Sequence, residues 1–304
     1  MTMTSSQSSH QFAQVLQDAQ AAPEFLQGNS AQLPIFPLSL LSRQTESAEL
    51  WNTYEKLLVS CLQSGDEKSA HLCLERLINR FGASNERVMA LRGVYEEAIA
   101  KTPRDLERIL QEYETTLAAN PVNIPVAKRR ITLLQSLSRQ ADAIKALVEL
   151  LDFSPSDAEA WMELAELYFS AGMYDRAVFC LEEVLLIAPN AWNIHARLGE
   201  VLYISGASDT AKDNAETVEL LHSSVQRFCR SIELCDDYLR GYYGLKMATN
   251  ALFEKAATHT KVSAKTIKDL NDKASGALRK IVDRKDSGYN EDELAAARRL
   301  IEKS

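Results

Sequence analysis

Trp161, Leu164 and Tyr168 step by three and four along the chain, so they share one face of a helix. Ala177 and Leu181 carry a second apolar face beyond Gly172, a residue suited to the left-handed backbone of a tight turn. Pro189 then ends the second helix, because a proline disfavours helix in the residue before it. The pattern predicts a helix–turn–helix unit, here called helix A and helix B. Pro121, Pro155 and Pro189 stand 34 residues apart, each closing such a stretch. A unit of this kind cannot bury its apolar face alone, so copies must stack on one another.

A 34-residue helical period is that of the tetratricopeptide repeat, and the expected fold is all-α: a tetratricopeptide α-solenoid, a right-handed superhelix of antiparallel helix pairs. The clearest repeat is 158–191, with Trp161, Leu164, Ala165, Tyr168 and Ala177 at packing positions. Ala165 and Ala177 are small where the paired helices approach. Stepping back gives repeats at 124–157, 85–123 and 51–84, the last with Tyr54 on its packing face. The repeat starting at Asn85 places Pro121 five residues late, which predicts an insertion at the Thr102–Pro103–Arg104 turn. Forward, 192–238 carries Leu198, Gly199 and Phe228 in register around an inserted loop at 206–217. A half repeat with Tyr242 follows at 239–254, inside a solenoid spanning 51–250. Residues 1–50 read as a partly disordered extension with a short helix at Ser9–Gln20, and residues 255–304 as capping helices.

Charge and composition narrow the role. The chain has 34 basic and 42 acidic residues, a net charge of −8, which argues against a nucleic-acid platform. The segment 255–285 is the exception, with nine Lys or Arg against three Asp; most of its charges read as a solvated helix face. No secretory signal opens the chain, and the apolar run Leu33–Leu41 is short and interrupted by Pro34 and Pro37, so no membrane span is expected. The cysteines are odd in number and lack CxxC spacing, which favours structural thiols in a reducing compartment. His71 with Cys73, and His222 with Cys229, do not make a compact metal pattern, and no P-loop, Gly-rich elbow or HExxH occurs. No catalytic residue, metal or cofactor is expected.

Function then falls on the surface of the helices A. The residues expected to line a partner-binding groove are Lys128, Thr132, Glu159, Met162, Glu166, Phe169, Asn193, Ala196, Glu200 and Tyr203. Met, Phe and Tyr between acidic rims suit an extended or helical peptide. The Lys and Asn set with which some such domains clamp acidic chaperone tails is broken here, since Thr132, Met162 and Glu166 occupy clamp positions. Arg130 stands where an apolar packing residue is usual and calls for a carboxylate nearby.

The run Ala160–Asn190 resembles the subunit 2 family of the ER membrane protein complex. So do Ala127–Ile131, the interrupted stretch Leu198–Thr217, Phe228–Leu245 and Ser263–Ser275. The resemblance implies a non-catalytic scaffold on the cytoplasmic face of the ER membrane, in a complex that inserts tail-anchored and multipass proteins. Implied partners are cytosolic segments of the membrane subunits and, in many organisms, a cytosolic subunit related to deubiquitinase-fold proteins. Membrane contact would be indirect, through those partners. The repeat class alone supports an alternative, a soluble adaptor for chaperones or another assembly.

Overall fold

The computed structural model describes residues 5–28, 47–208, 215–255, 264–284 and 288–302, and among them all regular structure is helical. The helices are α1 (Ser5–Gly28), α2 (Ala48–Ser64), α3 (Glu67–Phe81), α4 (Glu86–Ile99), α5 (Pro103–Ala119), α6 (Ile124–Ser136) and α7 (Gln140–Phe153). They continue with α8 (Ala158–Ser170), α9 (Tyr174–Ile187), α10 (Trp192–Ser208), α11 (Ala215–Leu234), α12 (Leu239–Lys255), α13 (Ala264–Asp283) and α14 (Glu291–Glu302). The chain divides into two compact units, Met1–Ala146 and Leu147–Ser304, with the boundary inside α7. The fold is a tetratricopeptide-like α-solenoid.

The repeat is written in its helix caps. Ser47, Asn85, Asn123 and Asp157 precede α2, α4, α6 and α8, and each side chain accepts a hydrogen bond from a backbone N–H of the first turn. Those N–H groups have no partner within the helix, and such a cap contributes about 1 kcal/mol. Pro121, Pro155 and Pro189 lie two residues before Asn123, Asp157 and Ala191, in the connections that follow α5, α7 and α9. Between α8 and α9, Gly172 adopts the left-handed backbone (φ 72°) that the turn requires.

Helix α2 begins at Ala48, one turn before the expected repeat start at Trp51, while Leu57, Leu58 and Cys61 are buried as Leu164, Ala165 and Tyr168 are, and Gly65 (φ 81°) takes the turn place of Gly172, in the expected register. Counted from the caps, two other points need correction. Val88 aligns with Val126 and Ala160, all three buried, one position earlier than expected. The residues added before Pro121 do not lengthen the Thr102–Arg104 turn. They extend helix: α5 has 17 residues, where α7 and α9 have 14 each. A full capping box between Thr102 and Asp105, with Pro103 at the first turn, holds the start of α5 in place.

In the first unit, α2 to α6 pack in sequence order and α1 lies against α2 and α3. The expected short helix at Ser9–Gln20 is instead Ser5–Gly28, and its later half docks: Ala19, Ala22 and Leu26 are buried. Arg76 of α3 donates to the Leu26 carbonyl at 2.6 Å and to the Tyr54 hydroxyl at 2.7 Å, and Phe25 meets Tyr54 edge to face. The remainder of the expected N-terminal extension, 29–46, lies outside the described residues.

In the second unit, α10 packs along α11, and α12 packs on both. Helix enters the expected loop 206–217 from both sides, to Ser208 and from Ala215, with Gly206, Thr217 and Val218 buried; residues 209–214 lie outside the described part. Helix α12 spans the segment read as a half repeat, 239–254. In the segment read as capping helices, α13 pairs with α12 through a buried face of Ile267, Ala274, Leu278 and Ile281, and α14 adds Leu294 and Ala297.

Candidate partner-binding surfaces

Helices α8, α10 and α12 are the helices A of the second unit, and most of the expected groove residues lie here. Glu159, Glu166, Asn193 and Glu200 are exposed; Met162, Phe169 and Tyr203 are half-buried. Ala196 is a correction. It is buried at 5% exposure in the core that α10 shares with α11 and α12, because a methyl side chain is small enough for the close side of the helix.

The organising residue of this surface is one the sequence reading passed over, Arg197. Its guanidinium grips Glu166 with two parallel bonds, Nε to Oε1 at 2.8 Å and Nη2 to Oε2 at 2.7 Å, and reaches Glu200 with Nη1 at 2.7 Å. Its centre lies 4.3 Å from the centroid of the Phe169 ring. Forked carboxylate bonds and stacking on an aromatic face are what a planar guanidinium does best. Burial alone would lower the Arg197 pKa, but the bonds to the two carboxylates outweigh it and raise it. Farther along, burial first and Glu254 second push the Tyr203 phenol above its ordinary value. Arg240 on α12 pairs with Glu293 of α14 at 2.7 Å.

The first unit contains Lys128 and Thr132 on α6. Lys128 is half-buried, and the Thr132 hydroxyl donates to the Lys128 carbonyl at 3.0 Å. Arg129, between them, repeats the role of Arg197. Each is the sixth residue of its helix, and each reaches back to a carboxylate on the preceding helix A, Glu97 on α4 in this case. Tyr113 of α5 donates to the same carboxylate at 2.5 Å. Burial first and Glu97 second raise the Tyr113 phenol pKa. Tyr113 comes this close only because residue 93 is glycine: a Cβ there would lie 2.7 Å from Cε1 and Cζ of its ring. Arg130 is half-buried on the same helix.

The expected packing residues Tyr54, Leu164, Ala165, Tyr168, Ala177, Leu198, Gly199, Phe228 and Tyr242 are all buried. Trp161 is only half-buried. Its ring meets Phe179 edge to face at 6.0 Å, and its indole N–H donates to the Pro155 carbonyl at 2.8 Å. The outer side of α9 also exposes Phe179 and Leu186, the latter at 75%, an apolar surface the repeat pattern did not signal.

Chemical groups elsewhere are held structurally. Cys61, Cys73 and Cys180 are buried, and burial pushes their thiols up to about 11, 12 and 12. A thiol in that range is a poor nucleophile at neutral pH. No group of three or more His, Cys, Asp or Glu that could hold a metal ion occurs among the described residues. Among them, too, no helix is long and apolar enough to cross a membrane.

Residues 70–213 match the family model described as the EMC2 TPR-like repeat domain. The TPR repeat protein oca3 of Schizosaccharomyces pombe is 31% identical over 75% of this chain and 75% of its own. ER membrane protein complex subunit 2-B of Xenopus laevis is 33% identical over 73% of this chain and 68% of its own. The solved structure of YrrB, a TPR protein with an unusual peptide-binding site, aligns with a TM-score of 0.49 at 12% identity, covering 74% of this chain and 97% of that chain.

Proposed function

Because the chain belongs to the ER membrane protein complex subunit 2 family, we propose that it is a non-catalytic scaffold subunit of that complex. In this reading it sits peripherally on the cytoplasmic face of the ER membrane. It holds cytosolic segments of the membrane subunits, and so supports insertion of tail-anchored and multipass proteins. The observation that carries the reading is the likeness to complex subunits over 73% of the chain. The surface chemistry supports holding rather than converting. A solenoid offers extended helix faces for binding, and the charged groups on these faces are engaged with one another, Arg197 with Glu166 and Glu200, Arg129 with Glu97. A family-borne addition to the partner list is a cytosolic deubiquitinase-fold-like subunit.

The test is affinity purification of the full chain from detergent-solubilised membranes, read by mass spectrometry. Multispanning subunits in fixed stoichiometry are expected. Recovery of soluble chaperones alone, with the chain left in the supernatant when membranes are pelleted, would overturn the proposal in favour of a soluble adaptor.

A further inference from the structure

We propose that the helix-A face of the second unit receives an extended, Lys- and Arg-bearing segment of the kind that flanks the cytosolic end of a membrane span. This rests on the scaffold role proposed above and names the chemistry of what is held. The inward positions of these helices A carry half-buried apolar and aromatic side chains: Met162 and Phe169 on α8, Tyr203 on α10, Tyr243 and Met247 on α12. Such side chains offer contact area to a partner's apolar residues and ring faces to its cations.

The charges on this face select the sign of the partner. Its own cations are already neutralised. Arg197 is shared by Glu166 and Glu200, two carboxylates for one guanidinium, and Arg240 is bound to Glu293. Glu254 adds a further exposed carboxylate beside Tyr203. It stands in the last turn of α12, where the helix dipole disfavours negative charge. The elevated Tyr203 phenol reports the same negative field, after burial as the larger cause. An acidic segment would meet Glu166, Glu200 and Glu254 with no uncommitted cation among Arg197 and Arg240. Cytosolic loops next to membrane spans carry an excess of Lys and Arg, so they supply the complementary sign.

The test titrates the full chain with two short fluorescent peptides of identical apolar residues, one with Lys and Arg at the intervening positions and its twin with Glu. Fluorescence anisotropy should show the basic peptide binding about tenfold tighter or more at low salt. The margin should shrink as ionic strength rises, because exposed charges are screened. Glu254→Lys should weaken the basic peptide about fivefold with the melting temperature held or raised, since a lysine suits that helix end. Glu200→Gln should weaken it in the same direction. Equal or tighter binding of the acidic twin, or no change in either variant, overturns the inference. If the membrane subunits co-purify while the basic peptide fails to bind, the inference falls and the scaffold role stands. If the peptide binds but no membrane subunit is recovered, the scaffold role falls and the assigned occupant with it.

Discussion

Adding one methyl group at Gly244 should unlock the core of the second unit. The Phe228 ring of α11, 4% exposed, lies between two glycines, Gly199 of α10 and Gly244 of α12. A Cβ on Gly199 would stand 3.1 Å from the ring. One on Gly244 would fall deep inside its van der Waals shell, with Cδ1 at 2.8 Å and Cε1 and Cζ nearer still. Carbon atoms settle at about 3.5–4.0 Å, so the ring would have to withdraw by more than about 1 Å. It cannot retreat toward Gly199, and Leu221, Val225 and Leu245 belong to the same packed cluster. Overpacking of this kind costs roughly 1–3 kcal/mol, and expelling the ring roughly 3–5 kcal/mol. Alanine recovers about 1 kcal/mol over glycine within a helix. With no room for the ring to yield, the cost of expelling it governs, and Gly244→Ala should destabilise by roughly 2–4 kcal/mol.

Urea denaturation followed by circular dichroism checks this, with two controls. Gly276→Ala on α13 meets no atom within 4 Å and should stabilise by about 0.5–1 kcal/mol. In a Phe228→Ala background the clash is gone, so Gly244→Ala should become neutral or stabilising, a coupling that a double-mutant cycle isolates. If Gly244→Ala alone is neutral, or its cost persists without Phe228, the close approach of α10, α11 and α12 around that ring is wrong.

Three further outcomes are expected. Trp161→Ala should cost about 2–3 kcal/mol by thermal or urea melt, below the roughly 3–5 kcal/mol of a fully buried tryptophan, because Trp161 is half-buried. Lys246→Met should stabilise by about 1 kcal/mol or more at neutral pH, because Lys246 is fully buried and its ammonium donates to the neutral oxygens of Asn271 (3.3 Å) and Ser275 (2.8 Å). Burial first and Arg279 second hold the Lys246 pKa below 10.5, so above its folded pKa the unfolded chain binds the extra proton. Wild-type stability at this site should then rise with pH through that window, and the methionine variant should lack the rise in a series of urea melts. Asp66, which caps α3, has its carboxyl held below 3.8 by hydrogen bonds from Ser69. Its contribution is therefore present above 3.8 and lost as pH falls through the folded value. Asp66→Ala should reduce the acid sensitivity of the melt.

What the sequence revealed depended on how costly each feature is to counterfeit. A proline cannot continue a helix, so Pro121, Pro155 and Pro189 marked the turns without ambiguity. The caps Asn85, Asn123 and Asp157 held the same information with finer register, and Ser47 marks that α2 starts one turn before Trp51. Helix α1 was harder to see, because Ala19, Ala22 and Leu26 make a thin apolar stripe in a Gln- and Ala-rich segment. Lys246 could not be seen at all: nothing in one sequence distinguishes the rare buried lysine from a solvated one.

The surface divides along the same line. Repeat positions pointed to Phe169, Tyr203 and nearby carboxylates as groove candidates, yet passed over the arginine bound to Glu166 and Glu200. Arg129 and Arg197 act across neighbouring repeats, on partners 32 and 31 residues earlier. A period search looks for likeness between repeats, whereas these pairs rest on opposite charges at different repeat positions. Their consequence is electrostatic. Each cross-repeat pair neutralises an arginine on the helix-A side, so the charge left to address a partner is not the charge a residue count suggests. In the second unit the remainder is negative, from Glu200 sharing one guanidinium with Glu166 and from Glu254 standing beside Tyr203. The sign of that remainder, set by internal pairing rather than by composition, is what makes a cationic segment the complementary occupant of this face.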